Sequence, residues 1–122
     1  MRILLVDDSN TIRRIQKNTL EKLGFSDIVE AQDGADAVGK LSMMGKFDLV
    51  LMDWNMPNMT GIEALKKIKA DPAIKGTPVI MVTSESEKKK IVEAIQSGAA
   101  SYVIKPFEAD TLLAKIKATV KS

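Results

Sequence analysis

The sequence predicts an α/β fold: one domain in which a five-stranded parallel sheet, doubly wound, carries helices on both faces. Three observations lead there. Short aliphatic runs alternate strictly with segments of helical spacing along the chain. The short runs are apolar at successive residues, as strands buried on both faces are. Polar residues follow those runs, so they gather at one end of a parallel sheet.

Each element has its own reason. "RILLV" at 2–6 is aliphatic and β-branched and reads as the first strand. Ile12, Ile15, Leu20 and Leu23 form a face at 3.6 spacing, so a helix follows, closed by Gly24. "DIVEA" at 27–31 is a weaker strand and suits a sheet edge. Ala37, Val38 and Leu41 suggest a second helix, and "LVLM" at 49–52 a further strand. Ile62, Leu65 and Ile68 predict a third helix, stopped near Asp71-Pro72. "PVIMV" at 78–82 is again strand-like. Ile91, Val92 and Ile95 mark a fourth helix that ends at Gly98. "SYVI" at 101–104 gives the last strand, and Leu112, Leu113, Ile116 and Val120 the last helix. No repeat, low-complexity stretch or linker interrupts the series. The expectation is one domain over residues 1–122 with no output domain.

Composition narrows the chemistry. With 122 residues, 45% hydrophobic and 28% charged, the chain suits one soluble globular domain. Cysteine and histidine are both absent, which excludes disulfides, thiolate metal sites, His-based triads and most catalytic zinc sites. Eighteen basic against sixteen acidic residues is too small an excess to argue for nucleic acid. No apolar run approaches the roughly 20 residues of a membrane span, and "MRILLV" meets Asp7 too early for a signal peptide. The expectation is a cytoplasmic protein whose chemistry runs on carboxylates, lysine and hydroxyls.

The residues just past the strands are Asp7-Asp8, Asp53, Thr83-Ser84 and Lys105. Singly, each has an ordinary explanation. Asp7-Asp8 can cap a helix, Ser84 and Glu87 can form a capping box, and Lys105-Pro106 can be a solvated turn. Together they ask for more. Three carboxylates crowded at strand ends repel one another, so they call for a divalent cation or a large pKa shift. Without His or Cys, Mg²⁺ suits best, since it binds through a few carboxylates plus waters and phosphate oxygens. Lys105 adds a cation and Thr83 a hydroxyl. An acid, a metal, an ammonium and a hydroxyl around one point make a phosphoryl site, with Asp53 as the nucleophile.

At this point the chain resembles a known family. Paired acids after strand one, Asp53 after strand three, Thr83 after strand four and "KPF" at 105–107 match the receiver domain of two-component response regulators. "DDSNTIRR", "DWNMPNMTG", "VIMVTSE" and "YVIKPF" are similar, within that family, to the chemotaxis response regulators. The resemblance implies a flavodoxin-like (βα)5 fold with strand order 2-1-3-4-5. It implies Asp53 as phosphoacceptor, Asp8 as a direct Mg²⁺ ligand, Asp7 assisting through water, and Asn55 lending its backbone carbonyl. Thr83 and Lys105 would contact the phosphoryl group. Tyr102 would be an aromatic switch, and Asn55 and Glu85 would tune access of water to the acyl phosphate. Lys88, Ile91, Tyr102 and Lys115 would meet a flagellar motor switch protein. A chemotaxis histidine kinase would be the donor, a phosphatase a further partner, and the protein a monomer. A cis bond before Pro106 is also implied.

Some residues have plainer readings beside these. Tyr102 alone would be a half-exposed strand aromatic, and "KKK" at 88–90 a solvated helix face. Trp54 reads as a partly exposed neighbour of the site, Met56 and Met59 as loop anchors, and Met52 and Met81 as core. Rival functions fit less well. An aspartyl-nucleophile phosphatase of the haloacid dehalogenase type needs acids two apart after strand one, whereas Asp7 and Asp8 are adjacent. A flavodoxin-like cofactor binder needs backbone donors where "VDDSN" offers two anions. A phosphorelay intermediate and a receiver excised from a transcription factor are closer relatives of the main reading.

Overall fold

The structure, a computed structural model, describes residues 1–84, 88–105 and 107–120, Lys88 by its backbone only. The expectations for Glu85, for the bond before Pro106 and for a capping box reaching Glu87 fall outside that set. Five strands and five helices alternate: β1 (Arg2–Val6), α1 (Asn10–Lys22), β2 (Asp27–Ala31), α2 (Gly34–Met44), β3 (Leu49–Asp53), α3 (Gly61–Ala70), β4 (Val79–Thr83), α4 (Lys88–Gln96), β5 (Ser101–Ile104) and α5 (Ala109–Thr119). The sheet is parallel throughout, in the order β2-β1-β3-β4-β5. β2 is an edge strand, as its weaker pattern suggested, and β5 is the other edge.

Strand side chains alternate between two cores. Leu4, Val6, Val50, Met52, Val79 and Met81 point to the face covered by α2, α3 and Ala94 of α4. Ile3, Leu5, Leu49, Leu51, Ile80 and Val82 point to the face covered by Leu20 of α1 and by Leu112 and Ile116 of α5. Burying each such aliphatic side chain contributes about 1.5–3 kcal/mol before the entropy of ordering the chain is set against it. β3 and β4 are buried along their whole lengths. They are therefore fixed in register, and whatever ends them is fixed too.

In two helices the buried face coincides only in part with the apolar residues that predicted the helix. In α1 the core side is Gln16 and Leu20, with Leu23 packed beside them, while Ile15 is 56% exposed and Ile12 is also exposed. The buried stripe runs 16–20–23, one position round the helix from Ile15. Spacing alone cannot separate two adjacent stripes. In α4 the buried residue is Ala94, Ile91 is half-buried, and Val92 and Ile95 face out. A small side chain brings that helix close to the sheet and leaves its large aliphatics outside. Trp54 also departs from expectation: it is buried in the core rather than partly exposed.

Candidate functional site

At the carboxyl end of β1, the Asp7 amide donates to the Ala31 carbonyl at 3.2 Å and carries the sheet one residue further. Asp7 is 1% exposed, and its Oδ1 accepts from the Ser9 amide at 2.9 Å. Ser9, not the acids, is the N-cap of α1: its hydroxyl accepts from the Ile12 amide. The capping expected of Asp7-Asp8 thus passes to their neighbour. Asp8 stands exposed beside the pocket.

Asp53 is the last residue of β3, not the first beyond it. The Trp54 amide continues the ladder to the Val82 carbonyl at 3.1 Å, and then the chain turns back. Asn58 adopts φ 67°, and its amide side chain reaches Asp33 Oδ2 at 3.3 Å, tying the loop to the N-cap of α2. Thr60 and Glu63 form a capping box that opens α3. Gly61 donates to the Trp54 carbonyl at 2.8 Å, and a Cβ there would lie 2.1 Å from the carbonyl oxygen of Asp53. Only glycine lets the helix start directly beneath the acid.

β4 ends on Thr83, which is buried, and the Lys105 amide donates to its carbonyl at 2.7 Å. That bond sets the base of the Lys105 side chain. Its ammonium bridges two acids, at 2.9 Å from Asp7 Oδ2 and 3.1 Å from Asp53 Oδ1. Ligand oxygens of Asp7, Asp8 and Asp53 lie within 4.8 Å of one another.

Burial pushes the Asp53 carboxyl above its ordinary range. The Lys105 charge opposes that push, and the Asp7 charge adds to it. For Lys105, burial works against the ammonium, but the Asp7 hydrogen bond and the charges of Asp53 and Asp7 outweigh it and raise its pKa. Three carboxylates against one ammonium leave the pocket two charges negative when all are ionised. All-oxygen donors with surplus negative charge suit a hard divalent cation of the Mg²⁺ kind.

Asp7, Asp8, Asp53 and Lys105 are therefore brought together, Thr83 closes β4 beside them, and Asn55 is exposed on the loop that leaves Asp53. Tyr102 and Lys115 meet elsewhere: the ammonium is 4.9 Å from the ring centroid. Tyr102 is half-buried and packs against the core, while Ile91 lies half-buried on α4, which opens at Lys88. The exposed Val92, Ile95 and Ile104 add apolar surface to α4 and β5. Sequence reasoning missed Arg13, which donates to the Asp7 carbonyl, and Lys90, whose ammonium is 5.9 Å from the Trp54 ring centroid. Arg13 carried a faint signal, one helical turn beyond the cap that follows the acids.

Residues 3–117 match the response regulator receiver domain family. The chain belongs to the receiver family. Among related receivers, the chemotaxis protein CheY of Pseudomonas aeruginosa is 50% identical over 117 residues, which is 96% of this chain and 94% of that one. The chemotaxis protein CheY-3 of Vibrio cholerae is 50% identical over 116 residues, covering 95% and 88% of the two chains. The solved structure of Vibrio cholerae CheY4 superposes on this receiver with a TM-score of 0.88 at 35% identity, over 98% of both chains. The resemblance carried by the motifs and the strand order it implied both stand.

Proposed function

We propose that this receiver is a chemotaxis response regulator that accepts a phosphoryl group on Asp53 and, in that state, binds the flagellar motor switch. The observation that supports the reading is the Lys105 ammonium held between Asp7 and Asp53, with the Asp8 carboxylate close by, so that one ammonium and three carboxylates meet around one point. A carboxylate oxygen of Asp53 attacks phosphorus, the bond from phosphorus to the kinase imidazole nitrogen breaks, and an acyl phosphate forms. Asp7, Asp8, Asp53 and the Asn55 carbonyl would hold Mg²⁺, which neutralises charge on the transferring oxygens when bound. Lys105 does the same from its own side, and Thr83 offers a hydroxyl to the new phosphoryl group. Water ends the state by hydrolysis, with Asn55 and Glu85 setting its access. The protein acts as a switch and not as an enzyme on other molecules.

The added charge of about −2 draws on Lys105 and Thr83 at the ends of β5 and β4. We read the face formed by α4, β5 and α5 as the reporter; Tyr102, three residues before Lys105, with Lys115 over its ring, supports this, and Lys88 and Ile91 lie on α4. The donor side is distinct. Ile12, Ile15 and Phe107 line an open groove of about 450 Å³ that reaches Lys105, an apolar approach for the histidine-bearing kinase domain. Among the described residues, no helix is long and apolar enough to cross a membrane. We read the location as cytoplasmic.

The test is binding to a peptide from the N-terminus of a flagellar switch protein, with and without Mg²⁺ and beryllofluoride. Trp54, buried and one residue from Asp53, reports site occupancy by fluorescence. Tighter peptide binding on activation is the expected result. A Trp54 response without tighter binding would keep the phosphoryl chemistry and point to a phosphorelay intermediate.

A further inference from the structure

We propose that Arg13 is a positioning residue for the metal-binding acids, and that Glu30 on the edge strand sets Arg13 in place. This rests on the reading of Asp7, Asp8 and Asp53 as a cation site. Arg13 lies one turn into α1, beyond the residues that bear the acids. Its guanidinium divides its donors three ways: to the Asp7 carbonyl, to the Asn10 side chain, and at 2.9 Å to Glu30 Oε1. The side chain is 13% exposed. A planar fork with one donor on the turn and another on β2 fixes the turn against the sheet, which a point charge on a flexible stem does less well.

The Asp7–Ser9 turn needs such a clamp. Asp7 Oδ1 is engaged by the Ser9 amide, and the neighbouring Asp8 is exposed. The Asp7 carbonyl is the point through which the helix can set the turn's orientation. A cationic clamp there is costly in one respect, because its charge opposes that of a bound cation. Glu30 offsets part of the cost: it pairs with Arg13 at 2.9 Å and also forms an ion pair with the Lys17 ammonium at 3.6 Å. The acids thus keep a rigid turn while Glu30, shared with Lys17, offsets part of the arginine's charge. Partners of this kind around ligating carboxylates typically change metal affinity by about 10–100-fold when removed.

Positioning and plain electrostatics predict opposite signs, which makes the inference testable. Mg²⁺ affinity is read from Trp54 fluorescence in wild type, Arg13→Met, Arg13→Lys and Glu30→Gln. Thermal unfolding in EDTA shows that each variant is folded. Arg13→Met is expected to weaken Mg²⁺ binding about tenfold although it removes a positive charge, with Arg13→Lys recovering part of the loss. Unchanged or tighter binding in Arg13→Met would overturn the proposal.

If Arg13→Met does not fold, the charge-conserving Arg13→Lys decides: binding about two- to fourfold weaker than wild type supports the clamp, and unchanged binding sinks it. For Glu30→Gln, whose lost charge weakens cation binding on either reading, faster amide exchange at Ser9 than in wild type supports the role of Glu30 and equal exchange ends it. Wild type that shows no Mg²⁺ response would instead overturn the cation reading itself. Amide exchange at Ser9 in metal-free protein then decides about Arg13. Faster exchange in the folded variants than in wild type upholds the clamp, and equal rates end it.

Discussion

The ammonium of Lys105 stands 3.1 Å from Asp53 Oδ1, though the two residues are 52 positions apart in the chain. The pair is made by two parallel strands that end at the same level. With its contact to Asp7 it ties the acids of β1 and β3 together, and on the proposed function it lies beside the oxygen that would take the phosphoryl group. On that reading, Lys105→Ala is therefore expected to slow but still permit labelling of Asp53 by acetyl phosphate, while removing the gain in switch-peptide binding on activation. Unchanged activated binding would reduce Lys105 to a structural role. The pH sign follows from its raised pKa. A lysine held above its unfolded value contributes stability that is full below about pH 10.4 and is lost as pH rises through the folded pKa. Wild type should lose stability more steeply than Lys105→Ala in that alkaline window, as read by denaturant unfolding.

Asp53 carries the opposite liability. Burial and then the neighbouring Asp7 charge raise its carboxyl pKa against the pull of Lys105, so the folded protein binds a proton there more readily than the unfolded chain does. Between the unfolded and folded pKa values, stability falls as pH rises, and at neutral pH the ionised acid is a net strain on the metal-free fold. Asp53→Asn should raise the Tm of the metal-free protein at pH 7 and abolish labelling by acetyl phosphate. Loss of labelling with a lowered Tm would mean that the carboxylate is structural. For the same reason Mg²⁺ binding to wild type should weaken on acidification sooner than an ordinary aspartate would require. A titration of Trp54 fluorescence at several pH values measures this.

Gly61 is the position where fold and site are hardest to separate. The Cβ of an alanine would meet the Asp53 carbonyl oxygen at 2.1 Å and the Met81 side chain at 2.9 Å, and backbone cannot give way as a flexible side chain can. Gly61→Ala should cost about 1–3 kcal/mol or more of stability and displace Asp53 from Lys105. Denaturant unfolding and the rate of phosphorylation by acetyl phosphate should fall together. Full activity with unaltered stability would show that α3 can shift as a unit.

The strands were legible because their burial on both faces makes them continuous apolar runs, and the polar residues at their ends followed from a parallel sheet. Strand boundaries moved only slightly, taking in Asp53 and Thr83. The helix faces were less legible. Large aliphatics at Ile12, Ile15, Val92 and Ile95 repeat with helical spacing, yet the sheet buries Gln16 and Ala94 instead. Periodicity reports an apolar stripe and not what lies against it. Trp54 was misjudged for a related reason: its place beside a polar site says nothing of the turn that folds it back into the core. Arg13 carried no more than its place one turn past the cap, because its partners, the Asp7 carbonyl and Glu30, come together only when β2 pairs with β1.

Those exposed isoleucines carry the last prediction. Ile15 is 56% exposed and lines the groove with Phe107 that runs to Lys105, so it contributes little to the core. Ile15→Lys should change stability by less than about 0.5 kcal/mol. On the proposed function, a histidine kinase domain would lay surface against this protein to bring its phosphohistidine to Asp53, whereas acetyl phosphate would need only the pocket. Ile15→Lys should therefore slow phosphotransfer from a chemotaxis histidine kinase about tenfold, as a lost apolar anchor would. Labelling by acetyl phosphate should stay at the wild-type rate. Equal slowing with both donors would place Ile15 in the pocket's support, and no slowing with either would move the kinase to another face.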